Sequence, residues 1–488
     1  MMPQKHPESP PFFDFIVTPE ASQSSPKENY GVRTTTSPAI KNAPLPADGA
    51  GNNSWSNALL FFLLISIPWL ISFQLGGGLY FILVATCTAI PILMAFWTTF
   101  SSTSPRMNEK ARFPGRPVEY YLNFRTDGDR AKYRGKRKIP IEVFYEKYFR
   151  GDVMFKNGDC LENLEYRHDW ANFSFSWGVF KHFLFGFVPE LIVHSRSQDE
   201  EQVSGTYDRG DDFYAWFLGP RMIYTSGLIG DVTKEESLEQ LQDNKLTVVC
   251  EKIDLQPGDT MLDIGCGWGT LATFASVHYK AHVTGVTLGR NQTKWGNSSL
   301  ESAGIPQSQS RIFRMDYRDS PRIPGVHDML DDDGVFYLQY SGLRKYWQYE
   351  DLIWGLFMNK YVFPGADAST PLGWVVDQLE GAGFEIKSVD TVGVHYSATL
   401  WRWYRNWFAN RENVEAKYGA KWYRIWEIFL SWSTIVSRQG SATCYQIVLV
   451  KNINSTHRVD GVPSQFAITG AIRSAVEKIG KIPSAFLS

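Results

Sequence analysis

One stretch of this 488-residue chain combines an acidic residue with three closely spaced glycines. Asp263 lies in a short apolar run, 261–264, that predicts a buried strand. Gly265, Gly267 and Gly269 follow at every second position, and glycine lets a backbone turn tightly and pass close to a ligand. Residues 271–279 predict a helix whose N-terminus points at whatever lies over the glycines. The pattern predicts a nucleoside-binding strand, loop and helix. The alternative is a glycine-rich turn in some other Rossmann-like domain.

The glycine spacing differs from the dinucleotide fingerprint, because the third glycine falls one residue early. A G-x-G-x-G loop with an acid two residues before it resembles motif I of the S-adenosylmethionine-dependent methyltransferases. The resemblance implies an α/β fold, the class I or Rossmann-like methyltransferase domain. It also implies S-adenosyl-L-methionine as the cofactor, with Asp263 positioning groups around its cationic methionine moiety.

The composition limits the partners that this chain can have. A net charge of -2 gives no sign of nucleic-acid binding. Aromatic residues make up 15% of the chain, including 17 Trp, which suits a large apolar cavity or a membrane surface. The five cysteines are scattered and form no C-x-x-C pair. That pattern argues against a metal site of the zinc type or a disulfide framework, and it fits a reducing compartment.

The N-terminal 100 residues divide into a polar part and an apolar part. Residues 1–53 are rich in Pro, Ser, Thr and Asn, which predicts a disordered tail. The runs 55–73 and 79–100 carry no charge and are split by three glycines. Each is long enough for a membrane-spanning helix, which needs about 20 residues. We therefore predict a two-helix transmembrane hairpin over 54–102. The alternative is one buried hairpin in a soluble core.

Basic residues after the second run predict that the rest of the chain faces the cytosol. The expected location is a multi-pass position in a membrane, that of the endoplasmic reticulum. We treat 103–200 as a basic and aromatic-rich membrane-proximal region. Its basic stretch 125–138 either contacts anionic headgroups or is a solvated loop. Its aromatic-dense stretch 168–194 is either a lipid-facing lobe or ordinary core.

Residues 201–455 carry motifs that resemble the cyclopropane-fatty-acid synthases and mycolic acid methyltransferases, and 456–488 form a predicted tail. The matching segments are 206–214, 222–227, 283–292, 359–365 and 395–406. With the N-terminal hairpin added, the chain resembles the fungal sphingolipid C-9 methyltransferases. That resemblance implies a membrane-bound enzyme that methylates carbon nine of the unsaturated long-chain base of ceramide, on the way to glucosylceramide. The implied partners are a sphingolipid and the bilayer.

The resemblance also implies a set of cofactor-binding residues. Thr287 stands where ordinary class I methyltransferases have a ribose-binding acid, so Gln292 is the candidate for the ribose or methionine end. Asp316 follows the third predicted strand and is expected near the adenine. The full set is Tyr224, Thr225, Asp263, Gly265, Gly267, Gly269, Thr287, Leu288, Gln292, Asp316 and Tyr317.

The implied chemistry explains why the site would be apolar and aromatic. An alkene is a weak nucleophile, so it must be held in line with the methyl group at near contact distance. Transfer leaves a carbocation that water would trap, so the pocket must be dry. Aromatic faces can stabilise such a cation, by about 2 kcal/mol when desolvated. The candidates are Trp401, Trp403, Tyr396 and Phe363.

A base must then remove a proton, and in the family that base is a bound bicarbonate. Tyr396 matches the family tyrosine that holds it, while Ser226 and Gln339 stand at the family's Cys and His positions. The family's Glu has no counterpart. Only 17 residues separate Asp316 from Gly334, and a strand with its crossover helix cannot fit there. One strand–helix unit is therefore expected to be absent near 320–330.

Two explanations for the gap stay open. The chain is either a spliced or mispredicted product that lost the unit, or a natural variant that uses another base. Two rival functions follow: a membrane-tethered pseudoenzyme that binds the cofactor without turnover, and a methyltransferase acting on oxygen or nitrogen, which would need a general base.

Overall fold

The computed structural model describes residues 37–41, 51, 55–103, 114–189, 210–316, 325–364, 370–456, 458 and 470. Within these ranges ten strands form four small sheets, and helices make up most of the remainder. The strands are β1 Leu122–Phe124, β2 Ile139–Pro140, β3 Val153–Phe155, β4 Ala171–Asn172, β5 Thr260–Ile264, β6 His282–Thr287, β7 Arg311–Arg314, β8 Val335–Leu343, β9 Phe384–Thr391 and β10 Ala442–Lys451.

The helices, in chain order, are α1 Asn57–Gln74, α2 Phe81–Thr103, α3 Val118–Tyr121, α4 Asp127–Lys132, α5 Ile141–Arg150, α6 Cys160–Glu165, α7 Arg167–Trp170, α8 Trp177–His182, α9 Asp211–Leu218, α10 Leu238–Lys252, α11 Thr270–Phe274, α12 Arg290–Ser302, α13 Val326–Met329, α14 Tyr349–Phe357, α15 Leu372–Gly381, α16 Gly393–Ala409, α17 Arg411–Tyr418 and α18 Ala420–Arg438. Single π-helical turns extend α8, α11 and α14.

The two predicted apolar helices are present as α1 and α2, and they pack against each other. Both are long and apolar enough to cross a membrane, and only 11% and 17% of their most apolar windows are buried. Gly76 and Gly77, with φ of 115° and 109°, make the turn between them, which other residues adopt only with strain. Near its C-terminus, α2 contacts the region that follows it: the hydroxyl group of Thr98 donates a 2.7 Å hydrogen bond to the carbonyl oxygen of Phe175.

Aromatic side chains from both halves of the chain form one large core. Trp170 from the membrane-proximal region, Trp403 from α16 and Trp432 from α18 are all fully buried in it. The region 103–200 therefore shares its core with the predicted domain 201–455 and is not a separate layer. The aromatic stretch beginning at His168 is mostly core, although Trp177 and Phe185 are 57% and 65% exposed.

The predicted strand at 261–264 is β5, and it opens a parallel sheet in the order β5-β6-β7. A second sheet, in the order β8-β10-β9, is antiparallel. In the described residues β5 pairs only with β6, and β8 pairs only with β10. Leu262 and Ile264 on β5 are 42% and 36% exposed, which is high for apolar residues at the centre of an α/β fold.

Helix α10 connects the two sheets. It begins with a capping box, in which the Ser237 side chain and that of Gln240 each accept from the other's backbone amide. At its far end Lys252 donates 2.8 Å hydrogen bonds to Gln446 on β10 and to Asp390 on β9. Near its middle, Lys245 reaches the wall of the cavity beside β5. Helix α10 thus contacts the antiparallel sheet and the cavity beside the parallel sheet.

The predicted disordered tail, 1–53, is wrong for residues 37–41. Ala39 and Ile40 are 0% and 3% exposed. The guanidinium of Arg402 donates to the carbonyl oxygen of Ala39 at 3.1 Å, and the Ser37 hydroxyl donates to that of Val232 at 2.6 Å. The amino-acid composition does not predict this contact, because two apolar residues and a few backbone groups are enough to bind a short segment to the folded domain. Most of the remaining tail, like residues 317–324, lies outside the described residues.

Candidate active site

The glycine loop has the backbone conformation that its sequence predicts. Gly265, Gly267 and Gly269 have φ of 74°, 54° and 76°, a region that L-residues with side chains rarely adopt. A Cβ atom at Gly265 or Gly267 would meet nothing within 4 Å, so both face open space. At Gly269 it would lie 2.2 Å from Cδ1 of Ile312. The third glycine therefore serves the packing of α11 on the sheet, while the first two face a ligand site.

That open space is a cavity of about 570 Å³ at the carboxyl ends of β5 and β6. Nine of the predicted cofactor residues line it: Tyr224, Thr225, Asp263, Gly265, Gly267, Thr287, Leu288, Gln292 and Asp316. Gly269 is not in the wall, for the packing reason given above, and Tyr317 lies outside the described residues. Several wall residues were not expected from the sequence, namely Met222, Ile223, Lys245, Leu246, Trp268, Thr270, Leu271, Val286 and Met315.

The end of β6 and the start of α12 are joined by a side-chain hydrogen bond. The Thr287 hydroxyl donates to Oε1 of Gln292 at 2.7 Å, and both side chains are buried. This contact fixes the amide so that Nε2 remains for a ligand. Asp316, after β7, is 7% exposed and lines the same cavity.

Two residues of the cavity wall, Asp263 on β5 and Lys245 on α10, are charged. Burial raises the pKa of Asp263 to about 6, and the positive charge of Lys245 opposes that rise. Burial likewise lowers the pKa of Lys245, against the attraction of Asp263. Oδ2 of Asp263 is buried and has no hydrogen-bond partner among the described residues. A buried acceptor of this kind costs free energy unless a ligand satisfies it.

Aromatic rings extend from the cavity wall into the core. The Tyr224 ring lies 5.4 Å from that of Trp403 and 6.4 Å from that of Phe363, and Trp403 in turn lies 6.0 Å from Tyr396. Trp401 is placed differently, because the guanidinium groups of Arg402 and Arg405 lie 5.4 and 5.3 Å from its ring centre. Three of the four predicted cation-stabilising rings are therefore together, and Trp401 faces protein cations instead.

The three predicted catalytic residues are not among the residues that line the cavity. Ser226 is fully buried and donates to the Gly227 carbonyl oxygen. Gln339 on β8 accepts a 2.9 Å hydrogen bond from the Tyr337 hydroxyl. Tyr396 packs in a small cluster that contains Cys444, and the Gln339 side chain also reaches Cys444. The structure thus brings Gln339 to Cys444 and places Tyr396 against the cluster to which that cysteine belongs.

The cavity fits the sulfonium cofactor that the sequence resemblance implies. Gly265 and Gly267 leave room for a ligand against the backbone, and Asp263 offers a buried acceptor without a partner. Carboxylate and amide groups at the ends of β6 and β7 suit hydroxyl and ring-nitrogen groups of a nucleoside. The described residues contain no cluster of His, Cys, Asp and Glu that could hold a metal ion.

Comparison with known proteins agrees with the motifs. The family profile of mycolic acid cyclopropane synthetase matches residues 194–324 and 323–447. Sphingolipid C9-methyltransferase A of Emericella nidulans is 67% identical over 511 aligned residues, which cover 99% of each chain. Sphingolipid C9-methyltransferase 2 of Gibberella zeae is 63% identical, over 94% of each chain. The sphingolipid C9-methyltransferase of Candida albicans is 57% identical, over 95% of this chain and 97% of that one.

Among solved structures, a cyclopropane synthase from Mycobacterium tuberculosis is similar over 52% of this chain and 98% of its own, with 25% identity and a TM-score of 0.47.

The sequence comparisons also bear on the gap between β7 and β8. The 511 aligned positions exceed the 488 residues of this chain, so at least 23 positions of the Emericella protein have no counterpart here. The two family matches meet at residues 323 and 324.

Proposed function

We infer the activity from the premise that this chain belongs to the sphingolipid C9-methyltransferases, within the mycolic acid cyclopropane synthetase family. It is an S-adenosylmethionine-dependent C-methyltransferase that acts on carbon nine of the long-chain base of a sphingolipid. The observation that carries this conclusion is the full-length identity of 67% to a protein of that name. The cavity beside the glycine loop supplies the physical site.

The assignment of individual residues is a proposal that rests on the cavity. Thr287, Gln292 and Asp316, which follow or end β6 and β7, would hold the adenosine part of the cofactor. Asp263 lies on β5, and its carboxylate suits the positive charges of the methionine part. When bound there, the cofactor supplies the methyl group. The polypeptide binds it, orients it and keeps water away.

The aromatic rings are the proposed water-excluding wall on the lipid side. Tyr224 belongs to both the cavity wall and the ring cluster with Trp403 and Phe363. An alkene chain that enters along these rings would meet the cofactor cavity at Tyr224. Their faces would also stabilise a developing positive charge on the lipid, by about 2 kcal/mol in a dry site.

For the proton-removing step we keep the family's bound bicarbonate as the proposed base. Gln339 reaches Cys444, Tyr396 packs against the cluster that contains this cysteine, and Ser226 follows the cavity residue Thr225 directly. These three residues would orient the anion. The family's Glu is the contact that is missing from this arrangement.

We propose that α1 and α2 span the membrane and that the rest of the chain lies on its cytosolic side. The exposed apolar surface of both helices and their docking through Thr98 support this arrangement. Phe185 is 65% exposed and lies two residues after Phe183, whose ring is 5.9 Å from that of Trp97 on α2, so it would then meet the bilayer surface. The endoplasmic reticulum is the proposed compartment.

We also propose that this chain lacks one strand–helix unit between β7 and β8. Three observations support it: the open edges of β5 and β8, the junction of the two family matches at 323–324, and the positions of the Emericella protein without a counterpart. The crossover helix of such a unit would cover Leu262 and Ile264. The turnover of this chain is therefore expected to fall below that of its relatives.

The test is an assay of microsomes that contain this chain, incubated with methyl-labelled S-adenosylmethionine and a di-unsaturated ceramide. Label that stays in the long-chain base after hydrolysis supports the proposed function. Cofactor binding without label in the lipid would identify a pseudoenzyme. Label that is lost on mild hydrolysis would identify transfer to oxygen or nitrogen, and would overturn the proposal.

A further inference from the structure

Two opposite charges face the cofactor cavity without contacting each other. Lys245 on α10 is 8% exposed, and Asp263 on β5, which is half-buried, lines the same wall with its Oδ2 atom out of contact with solvent. The ion pairs of the described residues do not include one between them. Oδ2 of Asp263 accepts no hydrogen bond from a described residue, and the Lys245 ammonium donates none within the same ranges. The cavity thus has one positive and one negative wall group at its β5 end.

The burial of Lys245 follows from its position on the buried face of α10. Leu241, Lys245 and Val249 are spaced four residues apart, so the lysine lies in the apolar stripe of α10. Lysine is almost never fully buried unless it has a partner. Removing such a charge from water costs several kcal/mol, which a ligand of opposite charge can offset.

On the β6 and β7 side, the cavity already has suitable groups for a nucleoside, namely Thr287, Gln292 and Asp316. A ligand that places its nucleoside there extends its other end toward Lys245 and Asp263. An α-amino acid carries one carboxylate and one ammonium group on the same carbon. It therefore complements a wall with one lysine and one aspartate that attract each other but form no ion pair.

We propose that Lys245 binds the α-carboxylate of the cofactor's amino-acid end, while Asp263 receives its α-ammonium group. The inference rests on the proposed function, because it takes S-adenosylmethionine as the ligand, and it adds a binding residue that the motifs do not contain. Free bicarbonate is the other carboxylate-like anion that a buried lysine could hold, and the experiment separates the two.

The experiment is a calorimetric titration of the detergent-solubilised full chain with two ligands. One is S-adenosylhomocysteine, and the other is the same compound without its carboxylate. Wild type should bind the first about 10- to 100-fold more tightly, as for a hydrogen bond between charged groups. Lys245→Met should lose that preference by weakening only the first ligand. Lys245→Gln, which keeps a donor, should lie between them.

Lys252→Met is the matched control, because Lys252 lies on the same helix and binds Gln446 and Asp390 instead of the cavity. It should leave both affinities unchanged. Equal affinities of wild type and Lys245→Met for S-adenosylhomocysteine would overturn the inference. So would an equal loss for both ligands, or a Lys245→Met protein whose only change is a higher bicarbonate requirement. Failure of wild type to bind either ligand would instead refute the proposed function.

Discussion

The hydroxyl of Thr287, the last residue of β6, donates a 2.7 Å hydrogen bond to Oε1 of Gln292 in the first turn of α12. Both side chains line the cavity. Because Oε1 is occupied, the amide nitrogen of Gln292 can donate to a ligand oxygen, and Thr287 keeps it in that orientation. Thr287 is thus a positioning residue for Gln292.

We expect Thr287→Val to weaken the binding of S-adenosylhomocysteine by about 5- to 10-fold, since one neutral hydrogen bond is worth about 1 kcal/mol. Gln292→Ala should weaken it by more, and the double variant should be no weaker than Gln292→Ala. Thr293→Val is the control, because that hydroxyl donates to the Gly289 carbonyl oxygen within its own helix. Additive losses in the double variant would show that Thr287 acts independently of Gln292.

The glycine loop offers a second prediction, which separates packing from ligand approach. At Gly269 a methyl group would meet Ile312 at 2.2 Å and the Cα atom of Gly296 at 3.1 Å. We expect Gly269→Ala to lower the free energy of unfolding by roughly 2–4 kcal/mol, from overpacking and backbone strain together. Gly267→Ala has only the backbone cost of about 1–2 kcal/mol, and its methyl group faces the cavity.

Gly267→Ala should therefore lose more cofactor affinity than stability, and Gly269→Ala the reverse, as measured by titration and by denaturant unfolding. Gly258 is the control, since it has φ of 95° and open space around its Cα atom in an exposed turn before β5. Gly258→Ala should cost backbone strain alone. A Gly267→Ala protein with unchanged cofactor affinity would count against the glycine loop as part of the cofactor-binding site.

Much of this site could be predicted from the sequence because its signals are local. The strand 261–264, the three glycines and the helix after them form one short segment, and all of them fold as predicted. Family motifs supplied Thr287, Gln292 and Asp316, which the structure brings to one cavity. The two N-terminal helices were likewise evident, because uninterrupted apolar runs leave few other choices.

Lys245 could not be found in this way, because a lysine in a helix is usually solvated. The signal was its spacing of four from Leu241 and from Val249, which becomes meaningful only once the buried face of α10 is known. Residues 37–41 were missed for a related reason, since their partners Val232 and Arg402 are distant in sequence. Trp401 was misplaced because alternate aromatic residues on one helix face different sides.

A third prediction concerns the pH dependence of stability. The pKa of Asp263 is about 6 in the folded protein because of burial, and about 3.9 in an unfolded chain. Between these values the folded state binds more protons than the unfolded state, so stability falls as the pH rises from about 4 to about 6. The fall from this group is up to about 3 kcal/mol. It is complete above that window.

We expect Asp263→Asn to remove this slope from the ligand-free protein, as measured by urea unfolding at several pH values. Asp259→Asn, in the exposed turn that precedes β5, should retain the wild-type slope and serves as the control. If Asp263→Asn kept the full slope, the carboxyl group of Asp263 would not be the group that titrates.

The fourth prediction tests the membrane hairpin. Ile65 in α1 and Ile90 in α2 are 45% and 38% exposed near the middle of their helices. A lysine at the centre of a membrane span costs about 3 kcal/mol. The double variant Ile65→Lys, Ile90→Lys should therefore be released from membranes by alkaline carbonate, while wild type stays in the pellet. Gln74→Lys, at the end of α1, should behave as wild type because its charge can reach the headgroups. Release of wild type itself would refute the membrane span.

The last prediction concerns the two open edges of β5 and β8. A parallel strand between them would pair backbone groups that have no strand partner in the described residues, and its crossover helix would cover Leu262 and Ile264. We expect that inserting the corresponding segment of the Emericella protein between Gly325 and Val326 slows amide hydrogen exchange in both strands, because buried, paired backbone groups exchange through rarer openings. Methyl transfer to ceramide should rise in the same protein.

A Gly-Ser linker of equal length is the control and should change neither property. If the inserted segment left exchange in β5 unchanged, the open edge would not be the place of a missing strand. If the inserted segment instead restores protection and methyl transfer, a comparison of the transcript with the genomic DNA around codon 325 would distinguish a lost exon from a natural variant that uses another base.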